Sequence, residues 1–220
     1  MDAIKVCDLF DLTHTRAAKM LAACEYPWEA LSKIGETVLA IGQGLDLSDY
    51  DHPVEDVWIA KTATVAATAS IAGPCVIGEK TEVRPGAFIR GNVLVGDGAV
   101  VGNSCELKNC ILFDEVQTPH YNYVGDSVLG YKAHMGAGAV TSNVKGDKKN
   151  VVVHGERDYE TGRKKFGAML GDFAEIGCNS VLNPGTIIGR DSQVYPLSSV
   201  RGVVKARHIV KGARGAFTKD

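Results

Sequence analysis

From Ile59 onward, aliphatic side chains recur at every sixth residue: Val65, Ile71, Ile77, Val83, Ile89, Val95, Val101 and Leu107 follow without a gap. A small or slim residue falls four places after each of the first eight, at Ala63, Ala69, Cys75, Thr81, Ala87, Val93, Ala99 and Cys105. The beat resumes at Leu129 and Met135, and again at Ile176, Leu182, Ile188, Val194 and Val200. A six-residue period suits neither a 3.6-residue helix nor the two-residue alternation of a plain strand. It suits short strands separated by bends, each burying one aliphatic residue, with the small residue leaving room at the corner. Three such strands make a triangular coil of about 18 residues, and stacked coils form parallel ladders about 4.8 Å apart. The spacing therefore predicts a mainly β chain, a parallel β-helix of hexapeptide repeats. An ordinary β-sandwich would show strands of irregular length and spacing. Each buried Ile, Leu or Val is worth about 1.5–3 kcal/mol, so the stack has ample driving force.

The flanks and interruptions carry other patterns. Residues 1–50 have helical spacing: Pro27 suits the first turn of a helix, and Leu31, Ile34, Val38 and Ile41 then share one stripe before Gly42 and Gly44. A second helix is expected around Ala17–Ala23. This region is expected to form a cap or linker covering the open edge of the first coil, since an exposed parallel edge invites aggregation. The repeat then runs over 51–205. The spacing from Leu107 to Leu129 is not a multiple of six, which places a slip, read as a bulge or small loop, within Ile111–Tyr123. A polar, basic extrusion is expected at about 143–168, and 206–220 reads as a basic tail with Lys211, Arg214 and Lys219.

Composition narrows the function classes. The 220 residues carry a formal net charge of −2, which argues against a general nucleic-acid binder. The chain has no apolar run long enough to span a membrane and no basic start typical of a signal peptide, so a cytoplasmic location and no membrane partner are expected. The six cysteines show no CxxC pairing and read as reduced thiols rather than disulfides or a zinc site.

Two features suggest chemistry. His120 stands at the slip, in TPHYNYVGDS, where its ring should lie outside the prism, and an imidazole there is suited to take a proton near neutral pH. Arg90 and Lys108 each follow a core aliphatic residue and are one coil apart, so they should stack on one face. Two stacked cations would favour an anion such as a phosphate between them, unless both simply splay into water.

The run LKNCILFDEVQTPHYNYVGDSVLGYKAHMGAGAVTSN, from Leu107 to Asn143, resembles the acetyltransferase domain of the bifunctional sugar-1-phosphate nucleotidyltransferase and amino-sugar-1-phosphate acetyltransferase family. That family includes bacterial N-acetylglucosamine-1-phosphate uridyltransferase (UDP-N-acetylglucosamine pyrophosphorylase) and its archaeal relatives. The resemblance covers about residues 55–205 and rests on H-x-x-Y-x-G-D followed by G-A-G-x-x-T-x-N. It implies a left-handed parallel β-helix, a homotrimer with active sites between subunits, and transfer of acetyl from acetyl-CoA to the amine of glucosamine-1-phosphate or galactosamine-1-phosphate in sugar-nucleotide precursor synthesis. Carried over, His120 becomes the general base, Tyr123 and Asn143 hold the amino sugar, and Lys108 with Arg90 contacts the phosphate, Arg84 being a rival. His134 stands where bacterial members have an asparagine that touches the sugar. Lys165, or Lys149 in a rival alignment, lies near the acetyl-CoA site, and Cys178 where the pantetheine arm would pass. The resemblance implies no metal for the acetyl transfer.

No Gly-rich nucleotide loop with a βαβ pattern occurs within residues 1–55, so the chain is expected to resemble the acetyltransferase half alone, unable to form a sugar nucleotide itself, with a separate nucleotidyltransferase as a candidate partner. A non-catalytic sugar-nucleotide-binding or regulatory trimer is the alternative. A trimeric zinc enzyme of the carbonic anhydrase kind would need three converging histidines, and His120, His134 and His154 are poorly spaced for that.

Overall fold

The computed structural model describes residues 3–212 and 216–218. The hexads form a parallel β-solenoid with three faces. The first face stacks Val57–Ala60, Cys75–Ile77 and Val93–Val95, and later Ala168–Leu170, Thr186–Ile188 and Val203–Val204. The second face, from Thr64–Val65 to His208–Val210, is part of a 9-stranded sheet among the described residues. The third face begins with Ser70–Ile71 and Phe88–Ile89 and ends with Ser199–Val200. Ile77, Ile89, Val101 and Leu107 are fully buried, as the period requires. The fold is thus mainly β and in keeping with the left-handed β-helix of the hexapeptide-repeat class.

The slip has a different form from the one expected. Val93 pairs with Cys110 and Cys110 with Ser127, so these two coils advance by 17 residues where their neighbours advance by 18, as from Cys75 to Val93. Each has lost one residue at the corner between the third and first faces, and nothing projects within Ile111–Tyr123. Glu106–Leu112 and Tyr123–Leu129 round that corner as unbroken strands, joining the two faces into a 14-stranded sheet. Asn109 and Asp126 make the shortened corners in the left-handed region, both with φ 48°, a conformation that Asn and Asp tolerate better than other side chains. The beat is unbroken in space. Thr118, Val124 and Thr141 occupy the core positions between the aliphatic runs, and all three are fully buried. The two threonines satisfy their hydroxyls on the carbonyls of Val100 (3.2 Å) and Tyr123 (3.3 Å) in the preceding coil.

The amino-terminal segment does not close the end of the first coil with its helices. The helix Ile34–Gln43 lies against the first-face strands Cys75–Ile77, Val93–Val95 and Glu106–Leu112. Pro27 opens a 3₁₀ segment, Pro27–Ser32, rather than an α-helix. Leu31, Ile34 and Val38 are buried as the stripe predicts, while Ile41 is only partly covered and Gly42 sits against the Trp58 ring. The edge of the first face is covered by the strand Tyr50–Val54, antiparallel to Val57–Ala60. At the other end the ladder continues past residue 205 through His208–Val210, and Ala216–Thr218 pairs with it antiparallel. Of the expected basic tail, Lys211 lies over the Tyr195 ring, whereas Arg214 and Lys219 fall outside the described residues. No helix among the described residues is long and apolar enough to cross a membrane.

The extrusion is folded, not a solvated excursion. Val152–His154 and Asp158–Glu160 form a hairpin, and Val151, Val153 and Phe166 are fully buried. Trp28 packs on both Tyr159 and Phe166, and Arg163 donates to Ser32 at 2.6 Å, so the extrusion and the amino-terminal segment share one core.

Aspartates at the corner between the first and second faces fasten the coils and the amino-terminal segment together. Asp97 accepts from the Glu79 amide, Asp114 from the Asp97 amide, and Asp172 from the Tyr131 amide, each reaching to the coil before it. Asp172 also accepts from the Asp11 amide at 2.7 Å and pairs with Arg190 at 3.1 Å. Burial pushes its carboxyl above the usual range. Replacing Asp172 by Ala leaves two amides and a guanidinium without their acceptor and is expected to cost about 2–4 kcal/mol in urea unfolding. Asp172→Asn keeps a carbonyl acceptor and should cost less than half as much, whereas equal losses in the two variants would mean that the acceptor is not what matters.

Candidate active site

The site is built on the third face and its two corners. The corner that enters this face carries His120. Asn122, itself buried, holds that turn: its Oδ1 accepts from the His120 amide at 3.1 Å, and its Nδ2 donates to the carbonyls of Gly136 (2.8 Å) and Ala139 (3.0 Å) in the next coil. His120 is the register partner of Asn103, and its Nδ1 lies 3.1 Å from Asn103 Oδ1. An amide oxygen can only accept, so in the neutral ring this contact places the proton on Nδ1 and leaves a lone pair on Nε2. The ring is at the surface, so this lone pair is available to a reactant.

Ala137 and Cys178 follow His120 at the same corner position of the next two coils, as the bonds Gly138 N to His120 O and Asn179 N to Ala137 O require. A ladder spacing of about 4.8 Å puts Cys178 on the order of 10 Å from His120 along a straight track. Cys178 is exposed, as is Cys7, while Cys24, Cys75, Cys105 and Cys110 are buried, and all six are free thiols.

The corner that leaves the third face gathers the predicted sugar-binding residues around a carboxylate. Asp126, nearly buried, accepts from Asn143 Nδ2 at 2.6 Å and from Asn109 Nδ2 at 2.9 Å, and lies 3.7 Å from Lys108 Nζ. Asn143 also donates to the Tyr123 hydroxyl at 3.2 Å. Burial, with the Asp126 and Glu106 carboxylates nearby, pushes the Tyr123 phenol above its ordinary range, so it stays protonated and can donate to a ligand. Tyr123, Lys108 and Asn143 therefore form one network. Asp126 was legible only as part of the quoted G-D pair, and its signal is its place at a left-handed corner.

Arg90 and Lys108 do stack in adjacent coils, since Ile89 pairs with Leu107. The cost expected of that pair is relieved within the chain. Glu106 takes Arg90 at 2.7 Å and Asp126 takes Lys108, so neither cation requires an outside anion to be stable. Arg84 pairs with Glu82 at 3.1 Å at the corner after the second face, away from Lys108. His134 lies on the second face, bonded to Glu175 at 2.8 Å, and is not part of the Tyr123 network. Lys165 is exposed next to the buried Phe166, whose amide donates to the Asn143 carbonyl, and Lys149 lies farther out on the extrusion. Within the chain, His120 and His134 stand on different parts of the prism and His154 on the extruded hairpin, each with its own partner. Among the described residues no group of His, Cys, Asp or Glu is arranged to hold a metal ion.

Comparison with known proteins finds related chains. The family described as the GMPPB C-terminal domain matches residues 71–157. The bifunctional protein GlmU of Methanococcus aeolicus is 29% identical over 173 residues, which are 70% of this chain and 42% of that protein. A bifunctional sugar-1-phosphate nucleotidylyltransferase/acetyltransferase of Sulfurisphaera tokodaii is 33% identical over 114 residues, 51% of this chain and 28% of that one. Among solved structures, a variant of perosamine N-acetyltransferase from Caulobacter crescentus, in complex with CoA and GDP-perosamine, overlaps 74% of this chain and 57% of its own at 18% identity and a TM-score of 0.40. The matched regions span less than half the length of these curated relatives. The hexapeptide-repeat solenoid of this chain is therefore similar to the GMPPB C-terminal domain and to part of the GlmU proteins.

Proposed function

We propose that this protein is an acetyl-CoA-dependent N-acetyltransferase acting on an amino-sugar phosphate of the glucosamine-1-phosphate or galactosamine-1-phosphate type. The observation that carries this reading is the His120 ring, oriented by Asn103 with Nε2 free, only three residues ahead of the Tyr123–Asn143–Asp126–Lys108 network. A bare scaffold has no need of an oriented base beside a hydrogen-bonding cluster.

In this reading Tyr123 and Asn143 hold the sugar hydroxyls, and Lys108 and Arg90 face its phosphate. His120 Nε2 takes a proton from the sugar amine as the nitrogen attacks the thioester carbonyl, forming the C–N bond. Backbone amides at the corner stabilise the oxyanion. Collapse of the tetrahedral adduct breaks the C–S bond, and the thiolate of CoA receives the proton from the imidazolium. The pantetheine arm would run along the Ala137–Cys178 track, with Lys165 or Lys149 toward its phosphates. The chain would act as a homotrimer with active sites between subunits, and a separate nucleotidyltransferase would use the product. Acetyl transfer of this kind needs no metal.

One observation favours a second reading. Glu106 and Asp126 already neutralise the cations meant for the phosphate. A protein that only binds a sugar nucleotide, as a regulatory trimer, would keep the cluster without turnover.

Release of CoA thiol separates the two, with glucosamine-1-phosphate, galactosamine-1-phosphate and the 6-phosphates as acceptors. Turnover with a 1-phosphate is expected, and His120→Ala should lower kcat by about 10²–10⁴-fold, the usual worth of a positioned base. No thiol release from any acceptor, with parent and variant alike, would leave the binding role. Lys108→Gln should raise KM for the 1-phosphate by about 10–100-fold with little change in kcat, because it removes a charged hydrogen bond made equally in ground and transition states. An unchanged KM would remove Lys108 from the phosphate site.

A further inference from the structure

The position after the core residue of the third face is filled, coil by coil, by Arg90, Lys108, Gly125, Ser142, Asn183 and Arg201. The first two belong to the site already described. The last three, with Val144, Lys145, Gly146 and Asp147 of the extrusion, line a separate cavity of about 480 Å³. A space of this size takes a small organic ligand rather than a lone ion.

Its charges differ from those around Arg90. Arg16, Arg84, Arg90 and Arg190 each have a carboxylate partner. Among the described residues no carboxylate pairs with Arg201, whose NH2 nitrogen donates instead to His154 Nε2 at 2.8 Å. That bond requires a lone pair on Nε2, so the proton of His154 sits on Nδ1 and is donated to Asp158 Oδ1 at 2.8 Å. Asp158 and His154 thus hold the guanidinium in place while its other N–H groups remain uncommitted. Lys145 faces the same cavity, bridging Asp147 at 3.3 Å and the Asn150 carbonyl at 3.4 Å. Two cations border the space against the single carboxylate of Asp147, with the Ser142 hydroxyl and the Gly146 backbone beside them. The hairpin that supplies His154 is seated firmly on the coils: a side chain at Gly202 would strike the His154 carbonyl, and one at Gly185 would strike Val151.

We propose that this cavity is a binding site for the phosphates of a nucleotide, with Arg201 as the bidentate anchor and Lys145 as a second cation. A planar guanidinium fixed on one side and open on the other matches two phosphate oxygens, which an ammonium cannot do. Two sources could supply the same chemistry: an acceptor sugar linked to a nucleoside diphosphate, or the adenosine bisphosphate end of an acyl carrier, whose phosphates would then meet Arg201 and Lys145 in place of Lys165 or Lys149. The site does not depend on acetyl transfer taking place.

Isothermal titration of the full chain with UDP, adenosine 3′,5′-bisphosphate and inorganic phosphate tests it. At least one nucleotide should bind ten times more tightly than phosphate, and Arg201→Gln should weaken that binding at least tenfold. Preference for UDP would identify a nucleotide-linked acceptor, and preference for the bisphosphate would identify the carrier. Lys145→Gln, on the surface of the extrusion, should weaken binding three- to tenfold and guards against misfolding of the Arg201 variant. His120→Ala should bind as the parent does, so loss of turnover there bears on the acetyl-transfer reading alone. If neither nucleotide binds better than phosphate, or if both cation variants bind like the parent, the cavity is not a nucleotide site.

Discussion

Everything in this molecule depends on the parallel register between successive coils. Each third-face amide is committed to a carbonyl one coil away, as Ser70 is to Ala87 and Phe88 to Cys105. A residue's place in the repeat therefore fixes which side chains stand above and below it at about 4.8 Å. A coil cannot slide by one residue without turning its buried aliphatic residues outward. That rigidity converts a linear sequence into columns, and the columns are what chemistry can use. Asn103, His120, Ala137 and Cys178 form one, and Arg90, Lys108, Ser142, Asn183 and Arg201 belong to another.

The two shortened coils are where the regular stack is bent to a purpose. Removing one residue puts Asn109 and Asp126 at a tight left-handed corner. The Asp126 carboxylate is nearly buried there, yet within reach of groups from the coil before it and the coil after it. A buried carboxylate of this kind is tolerable only when it is well paired, and Asn109, Asn143 and Lys108 meet that need. The same set then holds Tyr123 and Asn143 in fixed orientations beside the His120 turn. The extrusion leaves the prism just after Asn143 and returns at Phe166, so its hairpin adds a second polar cavity to the same corner.

The architecture was plain in the sequence because burial of aliphatic side chains at a fixed period leaves a direct trace. Thr118 and Thr141 broke that trace, since their hydroxyls are satisfied by carbonyls of the preceding coil and so survive in the core. Counting only aliphatic residues turned two one-residue deletions into an apparent projecting loop. His120, Tyr123, Asn143 and Lys108 were identifiable from their motif. Their carboxylate partners were not, because Glu106 and Asp126 acquire meaning only through coil-to-coil contact. The docking of Ile34–Gln43 along the first face was also hidden: an apolar stripe says that a helix is buried, but not against which surface. The fold of the extrusion was hidden because its apolar residues, Val151, Val153 and Phe166, are few and are completed by Trp28 from far along the chain.

The most direct test concerns the base on which the proposed chemistry turns. Long-range proton–nitrogen NMR correlation of the His120 ring, at a pH where the imidazole is neutral, reports which nitrogen carries the proton. The contact with Asn103 predicts the Nδ1–H tautomer with an unprotonated Nε2, lost in Asn103→Leu. A ring found mainly as the Nε2–H tautomer would leave no base facing the reactant and would contradict the role given to His120.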